Sequence, residues 1–143
     1  MSGHNPIISI LENLESSGVK FEIALDKIIK GVVKIMNNTE ELKEELMGYD
    51  GIYQAYIIDV DFNYWLEVSD GRLRYEKGVN PQALFTITFT KELITKILGE
   101  EISGTDAFMK GKIKVEGSLS HGLRYIKLFR IFEKYLRKRN GSK

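Results

Sequence analysis

Few residues in this chain are equipped for chemistry. The 143 residues include two histidines and no cysteine. Thiol nucleophiles, disulfides and thiolate metal sites are therefore excluded, and the absence fits a reducing compartment. His4 lies in the first few residues. His121 sits among Ser118, Ser120 and Gly122 at the opening of a helical pattern, where a histidine is ordinarily solvated or capping. The carboxylates Asp59 and Asp61 flank a turn, a place that favours aspartate for local hydrogen bonds, and no histidine accompanies them as a metal ligand. Neither a phosphate-cradling Gly-x-x-x-x-Gly-Lys loop nor a Gly-x-Ser-x-Gly elbow occurs. The residue types thus predict no enzyme, no metal and no cofactor. A hydrolase or transferase reading would rest on His121 alone.

Two other constellations are richer. Leu93, Ile94, Ile97 and Leu98 form a helical stripe, Ala107, Phe108 and Met109 follow, and Leu123, Ile126, Phe129 and Phe132 share a broad face of the last helical segment with Leu119. Tyr125, Leu128, Tyr135 and Leu136 widen that face. Such a set is either a filled core or the wall of an elongated cavity, and the pattern alone leaves both open. Arg124, Lys127, Arg130, Lys134 and Arg137 recur every three or four residues on the other side of the same segment. They read as a solvated face matched to the helix dipole, or as a contact for anionic headgroups or an anionic ligand. No aromatic platform or reader motif accompanies them, so nucleic acid is not an expected partner.

The elements that must position these groups follow from periodicity. Residues 6–14 read as a helix with Asn5 as cap and Pro6 in its first turn. Phe21, Leu25, Ile28, Ile29, Val32, Ile35 and Met36 recur at helical spacing to about Asn37. Residues 39–46 open with the cap residue Thr39 and an acidic first turn. The pattern then changes to period two. Strands are predicted over 52–60, 64–69, 72–76, 84–90 and 112–116, with Asp70-Gly71 as a type I′ hairpin turn. The last strand is expected to turn Ile113 and Val115 inward and to keep Lys112, Lys114 and Glu116 wet. Helices are predicted over 91–98, stopped by Gly99, over 104–110, stopped by Gly111, and from His121 onward. Strands gathered in hairpins predict an α+β domain with a five-stranded, mostly antiparallel sheet covered on one face by helices.

Bulk properties agree with a single domain over residues 1–143. Apolar residues make up 43% and charged residues 29%, an ordinary globular composition. No apolar run approaches the roughly 18–20 residues of a membrane span, and no signal-peptide segment is visible, so the expected location is cytoplasmic. Net charge is +1. Residues 118–143 carry eight basic side chains and one acid, a net +7 that leaves −6 on the rest. A mildly acidic body with a basic end is implied.

One run adds a family. Phe85-Thr-Ile-Thr-Phe89, the helix to Gly99, and Ala107, Phe108, Gly111, Lys112, Ile113, Lys114 and Gly117 resemble the sterol carrier protein type 2 family. That family shares a threonine-rich strand, a Leu-rich helix ending in Gly, and an Ala-Phe-x-x-Gly-Lys-(Leu/Ile)-Lys-x-x-Gly run. The resemblance covers about residues 39–128. It implies a five-stranded sheet under helices and a hydrophobic tunnel between the layers, with sterols, fatty acids, fatty acyl-CoA or phospholipids as ligands and no catalytic residue. Carried onto this chain, the tunnel would be bordered by Phe85, Ile87, Leu93, Ile94, Ile97, Leu98, Phe108 and Met109, and by Leu123, Ile126, Phe129 and Phe132 of the last helix. Residues 1–37 would be a helical extension, 38–128 the core, and 129–143 a basic helix end. Peroxisomal members end in Ser-Lys-Leu, whereas this chain ends in Gly-Ser-Lys, so peroxisomal import is not expected. The final helix is longer, bulkier and more basic than the family's usual one, and Phe129 and Phe132 would plug the tunnel or form a dimer face.

Two functions are therefore expected to compete. One is non-catalytic carriage of a lipid or fatty acyl-CoA, with the basic stripe touching an anionic membrane or a CoA phosphate. The other is an interaction module with a self-filled core that forms a homodimer or docks to an enzyme.

Overall fold

The computed structural model describes residues 13, 15–99, 101–117 and 119–141, the last helix without side chains at 119, 121, 126, 129 and 136–141. The predicted helix over 6–14 lies outside the described residues, save Asn13. Helix α1 (Phe21–Asn37) matches its periodicity and buries Phe21, Leu25, Ile28, Ile29, Val32 and Met36 on one side. Helix α2 is short (Glu41–Glu45). Thr39 does not cap it; its hydroxyl donates back to the Ile35 carbonyl at 2.9 Å and so finishes α1 instead.

Five strands follow: β1 (Gly51–Ile57), β2 (Phe62–Ser69), β3 (Arg72–Lys77), β4 (Phe85–Phe89) and β5 (Lys114–Gly117). Their order across the sheet is β3-β2-β1-β4-β5. The β1–β4 pairing is parallel, and the other three are antiparallel. Asp70 and Gly71 take φ of 52° and 75°, as the predicted hairpin turn requires.

The parallel pairing demands that the chain return after β3 to start β4 in register with β1, Tyr53 beside Phe85. Residues 78–84 make that return across the outer face of the sheet. Gln54, only 1% exposed, holds them there. Its Nε2 donates to the carbonyls of Tyr64 (2.9 Å) and Gly78 (3.0 Å), and its Oε1 accepts from Asn80 N–H (2.8 Å).

The inner face carries the core. Helices α3 (Lys91–Leu98), α4 (Gly104–Met109) and α5 (Leu119–Gly141) cover it together with α1. Thr90 and Ser103 cap α3 and α4 by accepting from Leu93 N–H and Asp106 N–H. Strand β5 departs from expectation. All four of its residues are exposed, Val115 included, because it is an edge strand paired only with β4; Ile113, just before it, is buried.

Candidate functional site: an apolar cavity between sheet and helices

The inner layer does not close completely. A cavity of about 40 Å³ lies between the sheet and the helices. Helix α1 contributes Leu25, Ile29 and Met36, and the sheet contributes Tyr64, Leu66 and Leu73. Helix α3 supplies Ile94, Ile97 and Leu98, and α5 supplies Tyr125, Leu128, Phe132 and Glu133. Empty apolar volume costs about 24 cal/mol per Å³ in core truncations, so a void this size forfeits about 1 kcal/mol.

Sequence periodicity brings the α3 residues to the wall: positions 94, 97 and 98 face one way, and Thr90 sets where the helix starts. The α5 residues Tyr125, Leu128 and Phe132 follow the same spacing. Glycine fixes how closely α5 approaches the sheet. A Cβ on Gly122 would stand 3.0 Å from the Phe85 ring, and one on Gly117, at φ 126°, would stand 2.7 Å from it. Phe85 is thereby sealed between β5 and α5, with its ring 5.5 Å from that of Tyr125. The Tyr125 ring also meets Tyr53 edge-on at 5.1 Å, and its hydroxyl lies 3.4 Å from the Gln54 carbonyl.

The polar atoms of the layer are few. Tyr75 donates to Asp26 Oδ1 at 2.7 Å, and Asp26 also pairs with Lys30. Glu133, 9% exposed, accepts from Gly104 N–H at 3.0 Å and so ties α5 to the start of α4. Burial pushes the hydroxyls of Tyr64 and Tyr125 above their ordinary range. Burial does the same to Tyr53, raised to about 12 against the opposing charge of Arg124. Burial and the Asp26 hydrogen bond raise Tyr75 likewise. None of these tyrosines is poised to exchange a proton near neutrality. Among the described residues no cluster of three His, Cys, Asp or Glu could hold a metal.

Of the residues expected at the tunnel, Ile94, Ile97, Leu98 and Phe132 line the cavity. Phe85, Ile87 and Leu93 are buried in the core but off the wall, and Phe108 is half-buried. Met109, 76% exposed, and Leu123, 50% exposed, face solvent because each falls on the far side of its helix. The side chains of Ile126 and Phe129 lie outside the described residues.

Among the basic residues, Lys127 and Arg130 are exposed and Arg124 is half-buried. Lys134 is bonded to Glu45 of α2, which also accepts from Tyr135 at 2.8 Å, so it is committed to holding α5 down. Arg137 falls outside the described side chains. The wall residues that periodicity did not single out for a site are those of α1 and of β2 and β3, with Glu133. For Leu25, Ile29 and Met36 the regular apolar stripe of α1 was the signal, but it says nothing about which layer α1 joins.

A two-layer α+β domain with an apolar void between its layers is the class defined here. Residues 32–130 match the model of the SCP-2 sterol transfer family, and the chain belongs to that family. No curated protein matches the chain. A crystal structure of sterol carrier protein 2 is similar over 76% of this chain and 92% of its own, with 15% identity and a TM-score of 0.63. Sterol carrier protein 2 like 2 from Aedes aegypti is similar over 76% and 99%, with 16% identity and a TM-score of 0.60. A double mutant of the sec-alkyl sulfatase PisA1 is similar over 58% of this chain, with 22% identity and a TM-score of 0.50. This chain spans only 13% of that sulfatase.

Proposed function

We propose that the protein binds and carries a hydrophobic ligand, without catalysing a reaction, in the space between its sheet and its helices. The observation that carries this reading is the apolar cavity walled by α1, α3, α5 and the inner sheet face, in a chain of the SCP-2 sterol transfer family. Fatty acids, fatty acyl-CoA, phospholipids and sterol-like lipids are the candidate ligands. At about 40 Å³ the void has room for roughly three waters and not for a lipid, so uptake requires its walls to part. Each methylene buried contributes about 0.8 kcal/mol, so a dozen of them outweigh the cost of opening.

Native mass spectrometry of the purified protein, followed by titration of delipidated protein with fluorescent acyl ligands, tests the proposal. One ligand per chain is expected. A protein that neither co-purifies with nor takes up any apolar ligand refutes it.

A second reading draws on the smallness of the same void, which leaves the core largely self-filled. Met109, Val115 and Leu123 are exposed on α4, the β5 edge and α5, and would serve a homodimer or an enzyme partner. Light scattering on gel-filtered protein tests the dimer form: a ligand-binding strict monomer removes the homodimer and leaves the carrier or docking to an enzyme.

A further inference from the structure

The two ends of the sheet differ. At one end, edge strand β3 is engaged by α1: the Asn37 side chain pairs with both the N–H and the carbonyl of Leu73. At the other end, β5 is paired with β4 on one side, and all four of its residues are exposed. An edge strand in this state presents a row of N–H and C=O groups that a further strand can complete. Its side chains specify which strand. Val115 lies level with the buried Ile87 and so shares the inner face, yet it is 38% exposed. Lys114 and Glu116, level with Thr88 and Thr86, share the outer face. Laid antiparallel on itself about Val115, the run Lys114-Val115-Glu116 is its own complement. Each Lys114 then stands opposite a Glu116, and one Val115 opposite the other. Unlike charges directly opposite favour an antiparallel pair, and like charges disfavour it. Sliding the pair by two residues, which keeps the same faces together, sets Lys114 on Lys114 or Glu116 on Glu116. The charges therefore select one register.

We propose that a second copy of this chain docks on β5, antiparallel and centred on Val115, so that two five-stranded sheets join edge to edge. Two Lys114–Glu116 pairs hold the outer face of the junction, and the two Val115 side chains cover each other on the inner face. This rests on the homodimer reading above and names its surface. It is independent of ligand carriage.

The chain has no cysteine, so Val115→Cys introduces its sole thiol. Directly opposed residues of an antiparallel pair have Cα atoms about 4.5 or 5.5 Å apart, within the reach of a disulfide. Under mild oxidation the Val115→Cys chain should become a disulfide-linked dimer. Val79→Cys, at a site 55% exposed on the return from β3, should not. Lys114→Glu alone and Glu116→Lys alone each set like charges opposite, and each should raise the dimer dissociation constant about tenfold in analytical ultracentrifugation. Combining the two substitutions exchanges the charges and should restore the dimer. Both side chains are exposed, so circular dichroism should show the fold unchanged. A solution dimer that Val115→Cys does not link, or that both single reversals leave intact, overturns this pairing and leaves the homodimer to another face. A strict monomer at every concentration overturns the pairing and the homodimer reading together, and makes Lys114 and Glu116 the charges that keep two edges apart.

Discussion

Single residues in this protein matter most where a polar atom meets the apolar interior. The tyrosines are the clearest case. Below pH 10 they are protonated in both folded and unfolded chains and contribute no pH dependence. Burial raises Tyr53 to about 12, and raises Tyr64, Tyr75 and Tyr125 as well. Above pH 10 the unfolded chain releases protons that the folded chain keeps, so stability must fall as pH rises. For Tyr53 the window runs from pH 10 to about 12, at about 1.4 kcal/mol per pH unit. Denaturant titrations across this range should show the decline, and tyrosinate absorbance from these four should appear only with unfolding. Their ionisation near pH 10 in a chain with intact secondary structure would contradict the burial on which the cavity wall depends. Sequence reading reached these side chains unevenly. Asp70-Gly71 was legible because a type I′ turn has a narrow residue preference. Gln54 looked like one more strand position, because its partners at Gly78 and Asn80 are set by a crossing that no local pattern encodes.

The elements show the same division. Helices α1 and α3 end where their stripes and Gly99 predict, since amphipathic spacing and stop signals are local. The strands were found to within a few residues, but not the parallel β1–β4 pairing, which depends on the path of residues 78–84. Nor was the place of α1 legible. Its apolar stripe fits any partner, and only the fold shows it completing the cavity with Leu25, Ile29 and Met36. Asn37 helps hold it there by pairing with both backbone groups of Leu73 on edge strand β3, at 2.7 and 2.9 Å. On the opposite wall, α5 is held by Gly122 against Phe85 and by Lys134 and Tyr135 on Glu45. Phe132 lies between those two anchors and is only partly buried. Phe132→Ala should therefore destabilise the ligand-free protein by about 2–3 kcal/mol, below the roughly 3–5 kcal/mol of a fully buried Phe. If Phe132 plugs the cavity, the same variant should take up acyl ligands faster and more tightly. If it serves a dimer, the variant should change mass in light scattering and leave uptake unaltered.

Across the whole molecule, charge is segregated, with +7 beyond residue 117 and −6 before it. Some of that opposition is internal, since Lys134 of α5 is joined to Glu45 of α2. The remainder on α5 includes Lys127 and Arg130, both exposed on a helix that walls the cavity. A carrier that exchanges lipid at an anionic surface would gain twice from this placement. The surface would attract the basic face, and the pull would act on one wall of the cavity. Basic side chains near an anionic surface contribute about 1 kcal/mol each, and the attraction decays within a Debye length of about 8 Å at physiological salt. The protein should therefore sediment with phosphatidylserine-containing vesicles at low salt, much less at high salt, and not with neutral ones. Replacing Lys127 and Arg130 with glutamate should weaken sedimentation by at least tenfold without lowering stability, because neither forms an ion pair among the described residues. Ligand transfer from anionic vesicles should slow in the same variant, whereas binding of ligand already free in solution should not change. Equal loss in both assays would place these two residues at the cavity itself. Loss in neither would leave the basic face as a solvated complement to the helix dipole.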